Sequence, residues 1–191
     1  LAASAPDVGQ IVRKGATGQW LDGNGRNWSS FVTWDVHDHD IAIIDAATSG
    51  VTYVNGLMNI VAGIGTAPKG DVMAVGIESR NSELHFEQNI NGVFVRCMAA
   101  RIPGGSGTPA TFDLNPHLTY TAPTTGVVQR MLSIGDPRGV AFSPSGSVAY
   151  VAGLGSNSVI ALNPATGARS ATIPVGEGPT GLVMHPTGAH L

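Results

Sequence analysis

The sequence predicts an all-β fold, a β-propeller of four-stranded antiparallel blades, and three observations lead there. One phrase recurs: Pro137, Gly139, Pro144 and Gly146 return 42 positions later as Pro179, Gly181, Pro186 and Gly188. PRGVAFSPSG is thus echoed by PTGLVMHPTG. Each period holds four short apolar runs parted by turn formers, and such a period matches propeller repeats of about 40–50 residues. Only 12% of the 191 residues are charged, while 26 are glycine and 12 proline, a composition suited to short strands and tight turns.

The clearest blade is expected over residues 135–176. Residues 139–142 form a short apolar inner strand. Pro144 and Gly146 then turn the chain, because proline presets φ and glycine accepts positive φ. Residues 148–152 are a second strand, apolar on both faces as stacking blades require. Residues 159–162 form a third strand and residues 171–175 an outer one, the turn NPATG lying between them. Residues 177–191 begin another blade.

The earlier chain follows the same plan less cleanly. Residues 1–30 read as an incoming strand and a long loop, GQWLDGNGRNW, without the spaced acidic ligands of a calcium loop. Residues 31–59 read as a partial blade: a second strand at 31–36, a third at 40–45 (DIAIID) and an outer one at 51–57. Residues 60–102 read as a blade with strands at 71–76, 83–86 and 93–98. Pro68 and Gly70 sit 76 positions before Pro144 and Gly146. Residues 103–134 break the period and read as an insertion or an irregular blade. The count is about three full blades and two partial ones. The whole chain, 1–191, is therefore expected to be an incomplete propeller, completed by further blades of the same polypeptide or by a second chain closing the ring as an oligomer.

Net charge is −3 and the ten basic residues are scattered, which argues against a nucleic-acid partner. No run of 18 apolar residues occurs, so no helical membrane span is expected. Cys97, the single cysteine, excludes an intramolecular disulfide, and its strand setting FVRCMAAR reads as a buried inert thiol.

The densest ionisable cluster is residues 34–40, WDVHDHD. Alternation along a strand places His37 and His39 on one side, with Asp38 and Asp40 on the other. Two imidazoles on one face can share a metal, His85 of a neighbouring blade could complete the site, and Trp34 could shield it. A soft cation such as Cu(I) tolerates that low coordination, so copper is the metal of choice. The alternative is a polar turn whose aspartates cap backbone N–H groups. Trp34, Asp38, Asp40 and His117 are candidates for contact with a protein partner. His185 and His190 read as surface residues. No nucleophile elbow or phosphate-cradling loop is present.

GVAFSPSGSVAYVAG, NSVIALNPATG and TIPVGEGPTGLVMHPTG resemble the YVTN-type β-propeller repeats of secreted and cell-surface proteins, over about residues 133–191. Ala152 stands where that family often has threonine, and Asn163 where it has aspartate. Residues 19–25, 33–40 and 113–120 are similar to a bacterial, extracytoplasmic subgroup that continues into c-type cytochrome, di-haem-peroxidase-like segments. The resemblance implies a periplasmic, cell-surface or secreted scaffold or binding module of a redox protein. This chain has no Cys-x-x-Cys-His, so haem c would belong only to a continuation beyond Leu191. Two other readings are a copper-binding protein and a propeller enzyme such as a lactonase or lyase.

Overall fold

The computed structural model describes residues 12–34, 39–79, 95–120 and 124–191. The chain divides into two compact units, Leu1–Asp38 and His39–Leu191. In the first, β1 (Val12–Lys14) and β2 (Trp20–Asp22) form a short antiparallel hairpin. Asp22 organises the loop after β2: Oδ1 accepts from the N–H groups of Asn24 and Arg26, and Oδ2 from the indole N–H of Trp28. These bonds, that from Trp28 foremost, lower the pKa of Asp22 against the opposing effect of burial. Residues 31–34, expected to begin a strand, are irregular, and the rest of that expected strand lies outside the described residues.

The second unit is all-β apart from short helical turns. β3 (Ile41–Ile44) and β4 (Val51–Val54) pair as a hairpin whose turn is fastened by Asp45, which accepts from Ala47 N–H and from both N–H and Oγ1 of Thr48. β5 (Ile60–Thr66), β6 (Val72–Ser79), β7 (Val95–Ile102) and β8 (Ala110–Asp113) make a four-stranded meander in that order. A second meander comes next, with β9 (Pro137–Phe142), β10 (Ala149–Gly153), β11 (Ser158–Leu162) and β12 (Arg169–Pro174). Its four strands agree with the sequence expectation to within one to three residues at each end.

The first meander departs from expectation in register. The third strand is Val95–Ile102, not residues 83–86, which lie outside the described residues. The fourth is Ala110–Asp113, drawn from the stretch expected to be an insertion. Pro103–Gly105 is a 3-10 turn between β7 and β8. The physical reason is length and polarity. β7 pairs with all eight residues of β6 and buries Ala99, Ala100 and Ile102 completely, a fit that ELHF, with its glutamate and histidine, does not offer.

The two meanders share one core. Met73, Val75 and Ala99 of the first pack with Val140, Phe142, Val151, Ile160 and Leu162 of the second. A second core forms on the other face of the first meander, where Ile41 and Ile43 of β3 pack beside Ala74, Ala100, Ile102, Val54, Leu57 and Met58.

What sets the spacing between meanders is backbone contact. A Cβ built on Gly63 of β5 would lie 1.6 Å from the carbonyl oxygen of Arg138 in β9. One on Gly65 would lie 2.8 Å from the carbonyl oxygen of Val140, and one on Gly139 within 2.8 Å of Gly181 and Leu182. Gly63, Gly139 and Gly181 occupy the same place in the repeat. The turns stack as well: Gly146, at φ +75°, lies on Pro68, and Gly188, at φ +73°, lies on Pro144. The Pro-x-Gly phrase therefore serves twice, bending its own hairpin and seating the next.

Across the first meander, Asp71 accepts from Arg101 at 2.7 Å and from Gly104 N–H at 2.9 Å, tying the β5–β6 turn to the β7–β8 turn. Gly104 N–H foremost, with the Arg101 guanidinium, holds its carboxyl below the ordinary value of 3.8. A depressed carboxylate pKa stabilises the fold above the ordinary value and ceases to do so as pH falls through the lowered one. Asp71→Asn should therefore flatten the loss of stability below about pH 4, read from denaturant midpoints against pH. Gly63→Ala should cost about 3 kcal/mol or more, since backbone rather than a flexible side chain must give way. Gly176→Ala, with nothing within 4 Å of the added methyl, should stay within about 0.5 kcal/mol by the same measurement.

Candidate functional site

By register, Ser79, Val95, Asp113, Pro137, Gly153, Ser158 and Pro174 all lie at one end of the stacked meanders. The β12 strand leaves this end through a few residues, Val175 to Gly178. The link from β8 to β9 instead takes residues 114–136 and carries α1 (Val127–Leu132). Loops at the ends of a rigid sheet scaffold are where binding groups tend to sit, which makes this connector the candidate surface.

Three polar fastenings hold the connector. Buried Asn115 exchanges two hydrogen bonds with the backbone of Ile134, at 2.9 and 2.8 Å, closing the connector at its base. Arg169, at the start of β12, donates to the carbonyls of Leu114 and Leu132 and to Asn115 Oδ1. Burial lowers the pKa of Arg169. At the outer side, Tyr120 donates to Asp113 Oδ2 at 2.7 Å, and the Arg96 guanidinium lies 4.3 Å over the Tyr120 ring.

This arrangement sets the chemistry available. Burial first, then the hydrogen bond to Asp113, pushes the Tyr120 hydroxyl pKa upward. Burial also raises the Cys97 thiol, reinforced by the charges of Asp113 and Asp136 although Asp136 N–H opposes the shift. Both groups are therefore held protonated at neutral pH. Neither offers an anionic nucleophile, so the cluster acts as a clasp.

Each described residue among those singled out from sequence has its own local partners. His117 Nε2 lies 3.0 Å from the Gln129 carbonyl oxygen and 3.1 Å from Ser133 Oγ, anchoring α1. His39 stacks on Tyr53 with ring centroids 3.9 Å apart, and its Nδ1 lies 3.2 Å from Asn55 Oδ1. Asp40 Oδ2 accepts from Leu57 N–H at 2.8 Å, which fixes the turn after β4. Trp34 lies 5.4 Å from Trp20, ring centre to ring centre, and is largely exposed. His37, Asp38 and His85 lie outside the described residues. Among the described residues no three His, Cys, Asp or Glu side chains gather as metal donors.

Sequence reasoning missed Asn115, Arg169 and the Asp113–Tyr120 pair. Asn115 and Arg169 bond to backbone atoms or to residues distant in sequence, so no local pattern marks them, and residues 113–120 drew notice only through the family resemblance. The inner-strand glycine was legible: Gly63 stands as far before Gly139 as Pro68 does before Pro144.

The face of the connector is apolar. α1 exposes Val127, Val128, Met131 and Leu132 and buries none of its residues.

No family model matches the chain, and no curated protein matches it. Among solved structures it resembles Kuenenia stuttgartiensis hydrazine synthase, a β-propeller-containing protein, with TM-score 0.52 and 15% identity, over 85% of this chain and 44% of that one. A functionally unknown protein from Desulfotomaculum acetoxidans DSM 771 aligns with TM-score 0.49 and 14% identity, over 94% of this chain and 46% of that one. The chain thus spans less than half the length of either. At such identities the first likeness is one of fold, a propeller-like arrangement of sheets.

Asn115→Leu should cost about 2–4 kcal/mol in a denaturant titration, because it strands Ile134 N–H and carbonyl oxygen in the interior. Asn115→Asp, which keeps only the acceptor, should fall between it and the natural protein.

Proposed function

We propose that this chain is the stacked-blade part of a YVTN-type β-propeller, serving as a non-catalytic scaffold and docking module within a larger extracytoplasmic redox protein. The observation that carries the reading is the recurrence of one contact at the sequence period. Gly63 of β5 closes on the backbone of Arg138 in β9, and Gly139, at the same place in the repeat, closes in turn on the backbone of Gly181 and Leu182. That geometry builds an arc of radial blades. A β-propeller architecture is consistent with the likeness to hydrazine synthase, whose chain is more than twice as long as the stretch matched.

The redox chemistry would sit elsewhere in the polypeptide. Covalent haem attachment needs two thiols and a histidine in one short motif, and this chain has a single cysteine whose thiol is half-buried and held protonated. Its own residues therefore do not fit haem c. Their part is to hold loops rigidly at one end of the sheets, and the apolar connector helix is the docking element that best suits the role.

Native protein purified from its source should show a Soret band, with this chain's tryptic peptides in the same haem-staining species. A haem-free native protein, or one with these peptides in a different species, would contradict the proposal. Metal analysis of the untagged 191-residue chain separates the copper reading: about one equivalent of copper, lost on His39→Ala, would favour it over the scaffold.

A further inference from the structure

The far side of β5 is bare. Ile60 and Ile64 are 57% and 58% exposed, although they stand in the inner strand of a well-packed sheet. They flank an open groove of about 350 Å³ lined by Asp40, Ile41 and Ala42 on the β3 side, and by Val61, Ala62, Gly63 and Ile64 of β5. Among the described residues β3 pairs only with β4, and no described strand takes its other edge, which borders the groove. The groove is continuous with a packed interface, since Ile41, Ile43 and Val61 already belong to the core beneath it.

The repeat says what fits. Ala62 and Ile64 occupy the places that Arg138 and Val140 hold in the next sheet. Those two are met from the preceding inner strand by Gly63 and Gly65, so that Val140 lies where a side chain at position 65 would stand. Inner strands β5 and β9 share the pattern behind this, Gly63-x-Gly65 and Gly139-x-Ala141. Each also bulges at the same point, between Val61 and Gly63 in β5 and opposite Val151–Gly153 in β9.

We infer that the groove is the seat of an incoming β-hairpin from a further repeat of the same polypeptide. Its inner strand lays a Gly-x-Gly or Gly-x-Ala face on Ala62 and Ile64, and its second strand pairs with the free edge of β3. The inference rests on the stacked-blade reading above and adds the stereochemistry of the partner. The commitment to the same polypeptide comes from the solved relative, in which the matched stretch covers only 44% of the chain. A strand with a bulky residue at either small position is excluded, because nothing between the backbones could yield.

A fluorescent peptide of residues 137–153, which carries β9 and β10, is the probe, titrated into the 191-residue chain and followed by anisotropy. Saturable binding is expected, weakened at least about tenfold by Gly139→Val in the peptide and by Ile64→Lys in the protein. Ile64 is exposed, so the protein variant should keep its β-sheet circular dichroism. Absent binding, or binding indifferent to both changes, overturns the seat while intact circular dichroism leaves the scaffold reading standing. A haem-free native protein would sink that reading without touching the titration. Sedimentation tests the occupant: self-association abolished by Ile64→Lys would make it a second copy, and overturn the assignment to a further repeat.

Discussion

The absence of a side chain governs this molecule. Where β5 meets β9 the two backbones come so close that even a methyl group at position 63 would overlap a carbonyl oxygen. Inner strands of neighbouring sheets can therefore touch main chain to main chain at these positions. The spacing they set is filled by a shared apolar core of Met73, Val75, Ala99, Val140, Phe142, Val151, Ile160 and Leu162.

Two secondary constraints act beside this contact. At one end, each Pro-x-Gly turn rests on the proline of the turn before it. At the other, Asn115 and Arg169 draw the long connector against the second meander through backbone carbonyls that would otherwise be buried without donors. The first device is periodic and appears wherever the phrase appears. The second is larger than the fastening of the short exit from β12, where Asn157 accepts from the N–H groups of Val175 and Gly178.

How legible was this from the residues alone? The second meander was legible nearly strand for strand, because proline, glycine and apolar runs there alternate at the repeat period without interruption. The first was misphased because the repeat is degraded there, and residues 83–86, read as a strand, lie outside the described residues. Val95–Ile102 and Ala110–Asp113 were consequently displaced by one strand. The fastening of the connector was illegible for another reason. Asparagine bonding to backbone, or arginine capping carbonyls some forty to fifty residues away, leaves no spacing to detect. Histidines drew attention through their chemistry, yet His117 and His39 are engaged in anchoring a helix and stacking on Tyr53.

The helix α1 is suspended from its hydrogen bonds. Arg169 and His117 grip its carbonyls, Arg130 closes on Thr125, and no side chain of the helix contributes to the interior. Its conformation is thus decoupled from its surface chemistry. Positions 127, 128, 131 and 132 could take polar residues without disturbing the architecture, so their apolar side chains add surface character rather than stability.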